Sequence, residues 1–229
     1  MNFESGEILY IDKPLHWTSF DVVNKVRGAL CRSLGVKKLK VGHAGTLDPL
    51  ATGVMIVCTG RATKRIDELQ SGVKEYIATL ELGATTPSFD LEHEIDAHYP
   101  TAHITRQLVD EVLTKFRGEI WQVPPVYSAV KIDGKRAYDY ARKAQEVALK
   151  PKLLVIDALE VLHFELPVLQ IRVVCSKGTY IRALARDIGV ALGSGAHLTA
   201  LRRTRVGAAT AADCWDIDKL VEKIKTNTL

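Results

Sequence analysis

The segment VGHAGTLDPLATG, residues 41–53, combines a carboxylate, an imidazole and the residue types that form tight loops. Gly42 and Gly45 flank His43 and allow the backbone to turn sharply around it. Asp48 precedes a proline, which favours extended backbone at Asp48 and stiffens its position. A rigidly held aspartate suits a catalytic carboxylate, although most aspartates before proline only cap helices or form turns. The spacing alone is consistent with both roles for Asp48.

A second candidate is Arg182, because of its place at the start of a predicted helix. Residues 179–192 carry apolar side chains at helical spacing, and Thr179 is the predicted N-cap. Arg182 then falls in the first turn, where the helix dipole disfavours a cation by about 0.3–1 kcal/mol. A carboxylate or a phosphate in front of the helix would offset this cost. The alternative is that the long side chain bends into water.

Three further residues have two interpretations each. Lys64 and Arg65 lie near the start of the helix predicted at 62–70. A nucleic-acid phosphate would relieve their repulsion from the helix dipole there, but simple exposure to solvent is the favoured interpretation. Tyr76 alternates with apolar neighbours on the predicted strand 74–82, as a core tyrosine does. Such a ring can also form a platform on which an extruded base stacks.

The elements that position these residues follow from the spacing of apolar side chains. Short apolar or alternating runs predict strands at 7–12, 54–60, 74–82, 152–163 and 168–175. Helical spacing predicts helices after Thr18 as N-cap and at 62–70, 104–116, 138–145, 179–192 and 216–225. Loops are predicted at 41–53 and 83–100, and a strand or loop at 197–207. This order predicts an α+β fold with a mixed, largely antiparallel central sheet flanked by helices.

Composition excludes several classes of protein. The 229 residues are 47% hydrophobic and 25% charged, which is typical of a globular chain. The first residues lack a signal-peptide pattern, and no apolar run approaches the roughly 20 residues that span a bilayer. We therefore expect a cytoplasmic protein without membrane association. The four cysteines are too widely spaced for a zinc cluster and are expected to be reduced thiols: Cys31, Cys58, Cys175 and Cys214.

Sequence motifs of several enzyme classes do not occur in the chain. There is no GxxxxGK[ST] loop, no GxGxxG after a strand, no zinc-deaminase motif, and neither GxSxG nor HExxH. We therefore expect neither a metal nor a cofactor. A carboxylate that acts without either points to hydrolysis or rearrangement at an anomeric carbon.

Charge gives weaker information about partners. A net charge of +4 is only mildly basic. Basic clusters at 37–40, 131–143 and 202–205 contrast with an acidic stretch at 90–96. Each cluster alone is typical of a solvated face, but together they indicate a polarised surface that could follow phosphates.

Five segments resemble the TruB family of tRNA pseudouridine synthases, and they occur in the family's order along nearly the whole chain. They are GHAGTLDPLATGVMIVCTGRATK, KEYIATLELG, VPPVYSAVKIDGKRAYDYAR, CSKGTYIRALARDIG and HLTALRRTRVG. The pair GHxGTLDP and KGTYIR is highly specific. The resemblance implies the pseudouridine synthase fold and conversion of uridine 55, in the T arm of tRNA, to pseudouridine.

The resemblance also implies a role for each matching residue. Asp48, Arg182 and Tyr76 would be catalytic: an ionised Asp48 would pair with Arg182, and Tyr76 would stack on the flipped base. Attack by Asp48 at C1′ and attack at C6 both remain open. The residues implied in substrate binding are His43, Tyr76, Tyr180, Leu201, Lys64 and Lys131.

The resemblance further implies a single catalytic domain over residues 1–229, with an RNA-clamping insertion at about 124–152. Many bacterial members continue into a PUA domain, a small RNA-binding module, and we expect none here. The expected partner is the T-arm stem-loop of tRNA. We expect a monomer without an obligate protein partner.

Two departures from the family pattern stand out. Ala44 occupies a position where threonine is common, which changes little. Pro87, Ser88, Phe89 and His93 replace the usual polar, glycine-containing run. Because of this second departure, the resemblance transfers no role to Asp90, which lies within that run.

Two other classes of function compete with a synthase. A non-catalytic tRNA-binding or tRNA-folding protein could use the same scaffold, but it would have no need of Asp48 with all its expected companions. A glycosidase-like hydrolase could use Asp48 and Asp90, and it would release free uracil.

Overall fold

The computed structural model describes residues 2–128, 130–132, 135–137, 140, 148–226 and 228. The strands of these residues are β1 (Ile8–Lys13), β2 (Val41–His43), β3 (Ala51–Thr59), β4 (Lys74–Leu82), β5 (Ala84–Thr85), β6 (Ala97–His98), β7 (Gly118–Gln122), β8 (Lys131–Ile132), β9 (Lys135–Arg136), β10 (Lys152–Glu165), β11 (Val168–Cys175), β12 (Ala196–Val206), β13 (Ala209–Thr210) and β14 (Trp215–Asp216). The α-helices are α1 (Ser19–Leu34), α2 (Ile66–Ser71), α3 (Arg106–Thr114), α4 (Ile181–Ala191) and α5 (Ile217–Thr226). Short 3₁₀ helices occur at Gly60–Arg65 and Ala211–Asp213. The fold is α+β with a large, mostly antiparallel sheet flanked by helices, as predicted.

The chain groups into two compact units. Unit 1 comprises Met1–Tyr76 and Leu201–Leu229, and unit 2 comprises Ile77–Ala200. The boundaries fall inside β4 and β12, so each of these strands contributes residues to both units.

Unit 1 has the strand order β14-β1-β3-β12-β4, with β2 paired to β3. Helix α1 packs its apolar face against this sheet and against α5, and the shared core includes Leu9, Ile11, Val22, Val26 and Leu220. The helix begins as predicted. Thr18 accepts the Asp21 N–H at 3.0 Å, and the Asp21 carboxylate accepts the Thr18 N–H at 2.9 Å.

Unit 2 has the strand order β12-β4-β11-β10-β7. Strands β10 and β11 form an antiparallel hairpin with two register shifts, and β7 closes the edge against β10. Helices α3 and α4 belong to this unit. On α4, the buried residues Leu184, Ala185 and Ile188 form the apolar face that the sequence indicates.

Several predicted boundaries need correction. The loop predicted at 41–53 is shorter, because Val41–His43 pairs with β3 and β3 itself begins at Ala51. The helix predicted at 62–70 begins as a 3₁₀ helix and becomes α-helical only at Ile66. Residues 197–207, predicted as strand or loop, fall almost wholly within β12. The helix predicted at 138–145 lies almost entirely outside the described residues.

Two other expectations concern cysteines and membranes. None of the four cysteines, all of which lie in the described part of the chain, forms a disulfide, and Cys58 and Cys175 are buried in strands. No helix among the described residues is both long and apolar enough to span a bilayer.

Candidate functional site

Asp48 lies in the connection 44–50 between β2 and β3, which we call the Asp48 loop. Its carbonyl oxygen accepts a hydrogen bond from the Ala51 N–H at 3.0 Å, which closes a turn at the end of the loop. At the other end, the Ala44 N–H donates to the Ile56 carbonyl at 2.9 Å. The loop therefore folds back on β3 at both ends, and the Asp48 side chain is half-buried.

The first half of the Asp48 loop is held by Arg203 of β12. The Arg203 guanidinium donates to the carbonyl oxygens of Val54 at 2.7 Å, Gly45 at 3.2 Å and Thr46 at 3.3 Å. Gly53 pairs with Arg203 in the β3–β12 register and has a φ of +105°. A Cβ at Gly53 would overlap the Arg203 carbonyl oxygen, so glycine is what permits this close approach.

The second half of the loop is held by the start of α1 and the residues before it. The Ser19 hydroxyl accepts the Leu47 N–H at 2.8 Å and donates to the Leu47 carbonyl at 3.0 Å. The His16 N–H donates to the Pro49 carbonyl at 2.8 Å. Both residues that flank Asp48 are therefore fixed by groups from outside the loop.

Lys13 is fully buried at the end of β1, close to the loop. Its ammonium donates to the carbonyl oxygens of Trp17 at 2.5 Å, Pro14 at 2.8 Å and Pro49 at 3.4 Å. Burial lowers the pKa of Lys13 to about 8, and the charge of Asp48 acts in the opposite direction. Lys13 therefore carries its charge at neutral pH and attracts the Asp48 carboxylate.

His43 ends β2, directly before the loop, and is half-buried. Burial lowers the pKa of its imidazole, the nearby Gly45 backbone partly offsets this effect, and the charge of Arg203 lowers the pKa further. Its Nδ1 atom is buried and makes no hydrogen bond within the described part of the chain. The ring is therefore uncharged at neutral pH, which suits stacking better than ion pairing.

Leu201 and Tyr76 lie on the two strands that follow β3 in the order of unit 1. Leu201 pairs with Ala51 in the β3–β12 register, beside the end of the Asp48 loop. Tyr76 lies one strand further along, on β4, and is only 7% exposed. The sheet therefore places Leu201 next to the loop and Tyr76 on the following strand.

Lys64 and Arg65 end the 3₁₀ helix, and Arg65 is the N-cap of α2, so both lie at the start of an α-helix as predicted. Arg65 donates to the two carboxylate oxygens of Glu68 at 3.0 and 2.8 Å. Lys64 is exposed. The exposure of Lys64 fits both interpretations, so its role in RNA binding stays a prediction, whereas the charge of Arg65 is compensated by Glu68.

A surface cavity of about 440 Å³ adjoins β2 in unit 1. Two cations, Arg27 and Lys40, line it together with apolar side chains. Gly42, which precedes His43, forms part of its wall. The cavity is therefore suited to an anion that also touches apolar surface.

Arg182 lies in the first turn of α4 in unit 2 and is only 6% exposed. Its guanidinium donates to the carbonyl oxygens of Tyr127 at 2.9 Å and Ser88 at 3.2 Å. Its Nε atom lies 3.6 Å from a carboxylate oxygen of Asp90. The anion that the helix-dipole argument requires is thus supplied within unit 2. The predicted pairing of Arg182 with Asp48 stays a prediction.

Tyr180 is the N-cap of α4, so the predicted N-cap at Thr179 is wrong. The Thr179 hydroxyl instead donates to the Ser176 carbonyl at 3.0 Å. The Tyr180 backbone is held by the side-chain amide of Gln122, which accepts the Tyr180 N–H at 2.9 Å and donates to its carbonyl at 3.2 Å. The start of α4 is therefore fixed to the end of β7.

The backbone of Lys131 belongs to β8, which pairs with β9 within the predicted insertion. Its role in substrate binding stays a prediction.

Sequence reasoning missed Lys13 and Arg203, although each has a signal in the sequence. On β1, the alternation that places Leu9 and Ile11 inside also places Lys13 inside. For Arg203, the signal is Gly53, because a glycine inside a strand indicates close approach of another backbone. Ser19, by contrast, follows a predicted N-cap and carries no signal for its contact with the loop.

The basic cluster at 202–205 is not the free cationic surface that the sequence suggests. Arg203 is buried under the Asp48 loop. Arg202 forms a two-point contact with the Asp12 carboxylate, at 3.0 and 2.7 Å. Arg205 lies 3.6 Å from the Glu75 carboxylate. The sequence does not reveal these ion pairs because Asp12 and Glu75 lie on strands that are far from β12 along the chain.

Comparison with protein families matches the chain over most of its length. A profile described as "TruB family pseudouridylate synthase (N terminal domain)" matches residues 32–181. A second, described as "tRNA pseudouridylate synthase B C-terminal domain", matches residues 182–228.

Curated relatives match over nearly their whole length. The tRNA pseudouridine synthase B of Phocaeicola vulgatus is 69% identical over 222 residues, which cover 97% of this chain and 94% of the relative. The protein of the same name from Flavobacterium johnsoniae is 50% identical over 221 residues, which cover 96% of both chains.

Solved structures show the same fold in longer chains. A chain of a Cbf5-Nop10-Gar1 complex superposes with a TM-score of 0.73 at 29% identity, and the match covers 99% of this chain and 57% of that one. A chain of an H/ACA RNP bound to a substrate RNA containing 2'-deoxyuridine gives a TM-score of 0.71 at 28% identity, covering 99% and 56%. With both family profiles and relatives this similar, the chain belongs to the TruB family of pseudouridylate synthases.

Proposed function

We propose that this chain isomerises uridine to pseudouridine at position 55 in the T arm of tRNA, with Asp48 as the nucleophile. Relatives named tRNA pseudouridine synthase B are up to 69% identical to it over nearly the full chain. Asp48 occupies the matching position in the segment GHAGTLDP. The proposed reaction uses no metal or cofactor.

The observation that carries this proposal is the way Asp48 is held. Leu47 and Pro49 are bonded to Ser19 and His16, and Arg203 binds the two carbonyls of Gly45 and Thr46. An aspartate that only forms a turn needs no such support. A nucleophile gains from it, because a carboxylate fixed at the correct position avoids the entropy loss of reaching it during the reaction.

The target base is paired in the tRNA elbow, so it first leaves the stack, at a cost of a few kcal/mol. In the route through C1′, a carboxylate oxygen of Asp48 bonds to C1′ as the C1′–N1 bond breaks and its electrons leave with uracil. The uracil turns, and C5 then bonds to C1′ and displaces the carboxylate. The C5 proton leaves and N1 gains one, so product and substrate contain the same atoms. In the route through C6, the carboxylate adds to C6 as the C5=C6 double bond opens, and the C1′–N1 bond then breaks. After C5 has bonded to C1′, the C5 proton and the carboxylate leave, the C5=C6 double bond forms again, and N1 gains a proton.

The other predicted residues take supporting roles in this scheme. Arg182 orients the ionised Asp48, and Tyr76 stacks on the base and assists removal of the C5 proton. An uncharged His43 holds the RNA loop in its flipped form by stacking, which agrees with the direction of its pKa. Tyr180 and Leu201 line the uridine pocket.

RNA binding in this proposal rests on cations outside the reacting centre. Lys64, which is exposed, and Lys131 of the insertion contact phosphates. The cavity lined by Arg27 and Lys40 accepts one more phosphate, since it adjoins the residue before His43. Because these contacts release counterions, affinity for the stem-loop falls steeply with salt.

The test is to incubate unmodified tRNA with the purified protein, map pseudouridine along the RNA and analyse the released nucleosides. We expect pseudouridine at position 55, and we expect Asp48→Asn to abolish it while RNA binding persists. Asp110→Asn, at an exposed position of α3, is the control that keeps activity. Free uracil in the digest would identify a hydrolase, and binding without any modification would identify an RNA-binding protein. Near-normal turnover by Asp48→Asn would refute its role as nucleophile.

A further inference from the structure

The segment that leaves β7 and leads into the predicted insertion at 124–152 is fastened to α4 at several successive points. Gln122, the last residue of β7, makes two hydrogen bonds with the backbone of Tyr180. Two residues of α4 then bind the following stretch. We call residues 122–127 the insertion root.

The two fasteners from α4 are arginines one helical turn apart. Arg182 donates to the Tyr127 carbonyl at 2.9 Å, and Arg186 donates to the Val123 carbonyl at 3.0 Å. Residues four apart lie on the same face of a helix, so both guanidinium groups reach the insertion root from one side. The start and the end of the root are therefore tied to the same rigid element.

Arg186 is itself held in place by two further contacts. Its Nε donates to the Asp187 carboxylate at 2.8 Å. Its guanidinium carbon lies 4.9 Å from the centre of the Phe89 ring, within the range of a cation–π contact. Phe89 adopts a φ of +64°, which is uncommon for a residue with a side chain, and it directly precedes Asp90. One guanidinium thus joins α4, the insertion root and the segment that carries Asp90.

We propose that Arg186 is a positioning residue that sets the direction in which the insertion leaves unit 2, and thereby the affinity for the RNA stem-loop. The proposal rests on the proposed function for the RNA-binding role of the insertion. Arg186 touches no reacting atom in this scheme and acts through the Val123 carbonyl. A lysine cannot replace it, because a single ammonium cannot stack on Phe89 and reach both Val123 and Asp187 as a planar fork does.

The kinetic test compares Arg186→Ala and Arg186→Lys with the wild type on a T-arm stem-loop. We expect both variants to raise KM about tenfold, as the loss of a hydrogen bond from a charged donor would, while kcat changes less than about twofold. The matched control is Arg117→Ala. Arg117 also binds a backbone carbonyl within unit 2, that of Leu159 at 2.7 Å, but it lies outside the insertion root. An equal rise of KM in Arg117→Ala would show a general loss of stability and overturn the proposal.

A second measurement is independent of catalysis. Hydrogen–deuterium exchange of the RNA-free protein should become faster in Arg186→Ala at residues 123–128, with the other described residues of unit 2 unchanged, and should keep the wild-type rate there in Arg117→Ala. If the protein proves to have no isomerase activity, the proposed function fails, but this local change is still expected. Unchanged exchange at the root, or unchanged KM in an active Arg186→Ala enzyme, would overturn the role of Arg186.

Discussion

Arg182 and Asp90 face each other in the interior of unit 2, with 3.6 Å between the guanidinium Nε and a carboxylate oxygen. The side chains are 7% and 8% exposed, so little water screens their attraction. The Asp90 carbonyl is in turn held by the Thr86 hydroxyl at 2.7 Å. The Asp90 backbone is therefore held within its own segment while the side chain faces Arg182. The family resemblance transfers no role to Asp90.

From this pairing we predict that Asp90→Asn lowers kcat by about 10- to 100-fold with a smaller effect on KM. An amide keeps the shape of the carboxylate but removes the charge that orients the Arg182 guanidinium. In the proposed scheme Arg182 orients Asp48, so the substitution misaligns the reacting groups and lowers kcat. Steady-state kinetics on a T-arm stem-loop would check this. Glu160→Gln is the control, since Glu160 pairs with Arg172 at a largely exposed site. Equal kcat values for Asp90→Asn and wild type would contradict the prediction.

Neighbouring arginines on β12 should differ sharply in their contribution to stability. We predict that Arg203→Met lowers the free energy of unfolding by about 2–4 kcal/mol, because three carbonyl acceptors lose a charged donor inside the protein. Arg202→Met should cost less than about 1 kcal/mol, since its ion pair with Asp12 is partly exposed. Urea denaturation of the two variants measures the difference. Similar losses for both would show that Arg203 does not support the Asp48 loop.

The close approach of β3 to β12 predicts a strict requirement for glycine at position 53. Gly53→Ala should destabilise by about 3 kcal/mol or more, because the new Cβ meets the Arg203 backbone, which cannot move aside as a flexible side chain could. Gly207 also has a positive φ, +56°, but has nothing within 4 Å of an added Cβ. Gly207→Ala should therefore cost only about 1–2 kcal/mol. Thermal unfolding would rank the two, and the reverse ranking would refute the steric argument.

The buried Lys13 predicts a pH dependence of stability. Its pKa is lowered by burial from 10.5 to about 8, so between these values the unfolded chain binds more protons than the folded one. The contribution of Lys13 to stability therefore rises as pH increases from about 8 to 10.5, and is constant below that range. Relative to Lys13→Met, the wild type should gain on the order of 2 kcal/mol between pH 7 and pH 10.

Urea denaturation of both proteins at the two pH values measures this gain, because shifts at other groups cancel in the difference. A stability difference that does not change with pH would mean that Lys13 titrates as an exposed lysine does, and one that shrinks would mean that folding raises the pKa of Lys13.

Locally encoded features were predictable from the sequence. The strand at 74–82 has the predicted bounds, because strict alternation of buried side chains identifies it without reference to any partner. The N-cap at Thr18 is likewise correct, since a capping box depends on residues three apart. For Asp48, the loop sequence alone is consistent with a catalytic or a turn aspartate, and its catalytic role rests on the family resemblance and stays a prediction.

Features that depend on distant partners were not predictable in the same way. Arg203 looks like one of three surface arginines until the carbonyls of Gly45 and Thr46, far away in sequence, are placed beside it. The predicted N-cap at Thr179 is wrong for a different, local reason, because the Thr179 hydroxyl donates to the Ser176 carbonyl. Because Arg203 binds backbone carbonyls, its burial does not show in the sequence as a pairing of opposite charges.

The division of unit 1 into two chain segments has a consequence for the order of folding during synthesis. Residues 1–76 leave the ribosome first, yet Arg203, which supports the Asp48 loop, belongs to the segment that begins at Leu201. Unit 2, by contrast, is one continuous stretch and can fold as soon as it has emerged. The nascent chain therefore lacks the Arg203 contacts that hold the first half of the Asp48 loop for most of its synthesis, and these contacts form only when β12 has been made. We therefore expect chains that end before β12 to lack the ordered Asp48 loop, even when they contain every residue of the segment GHAGTLDP.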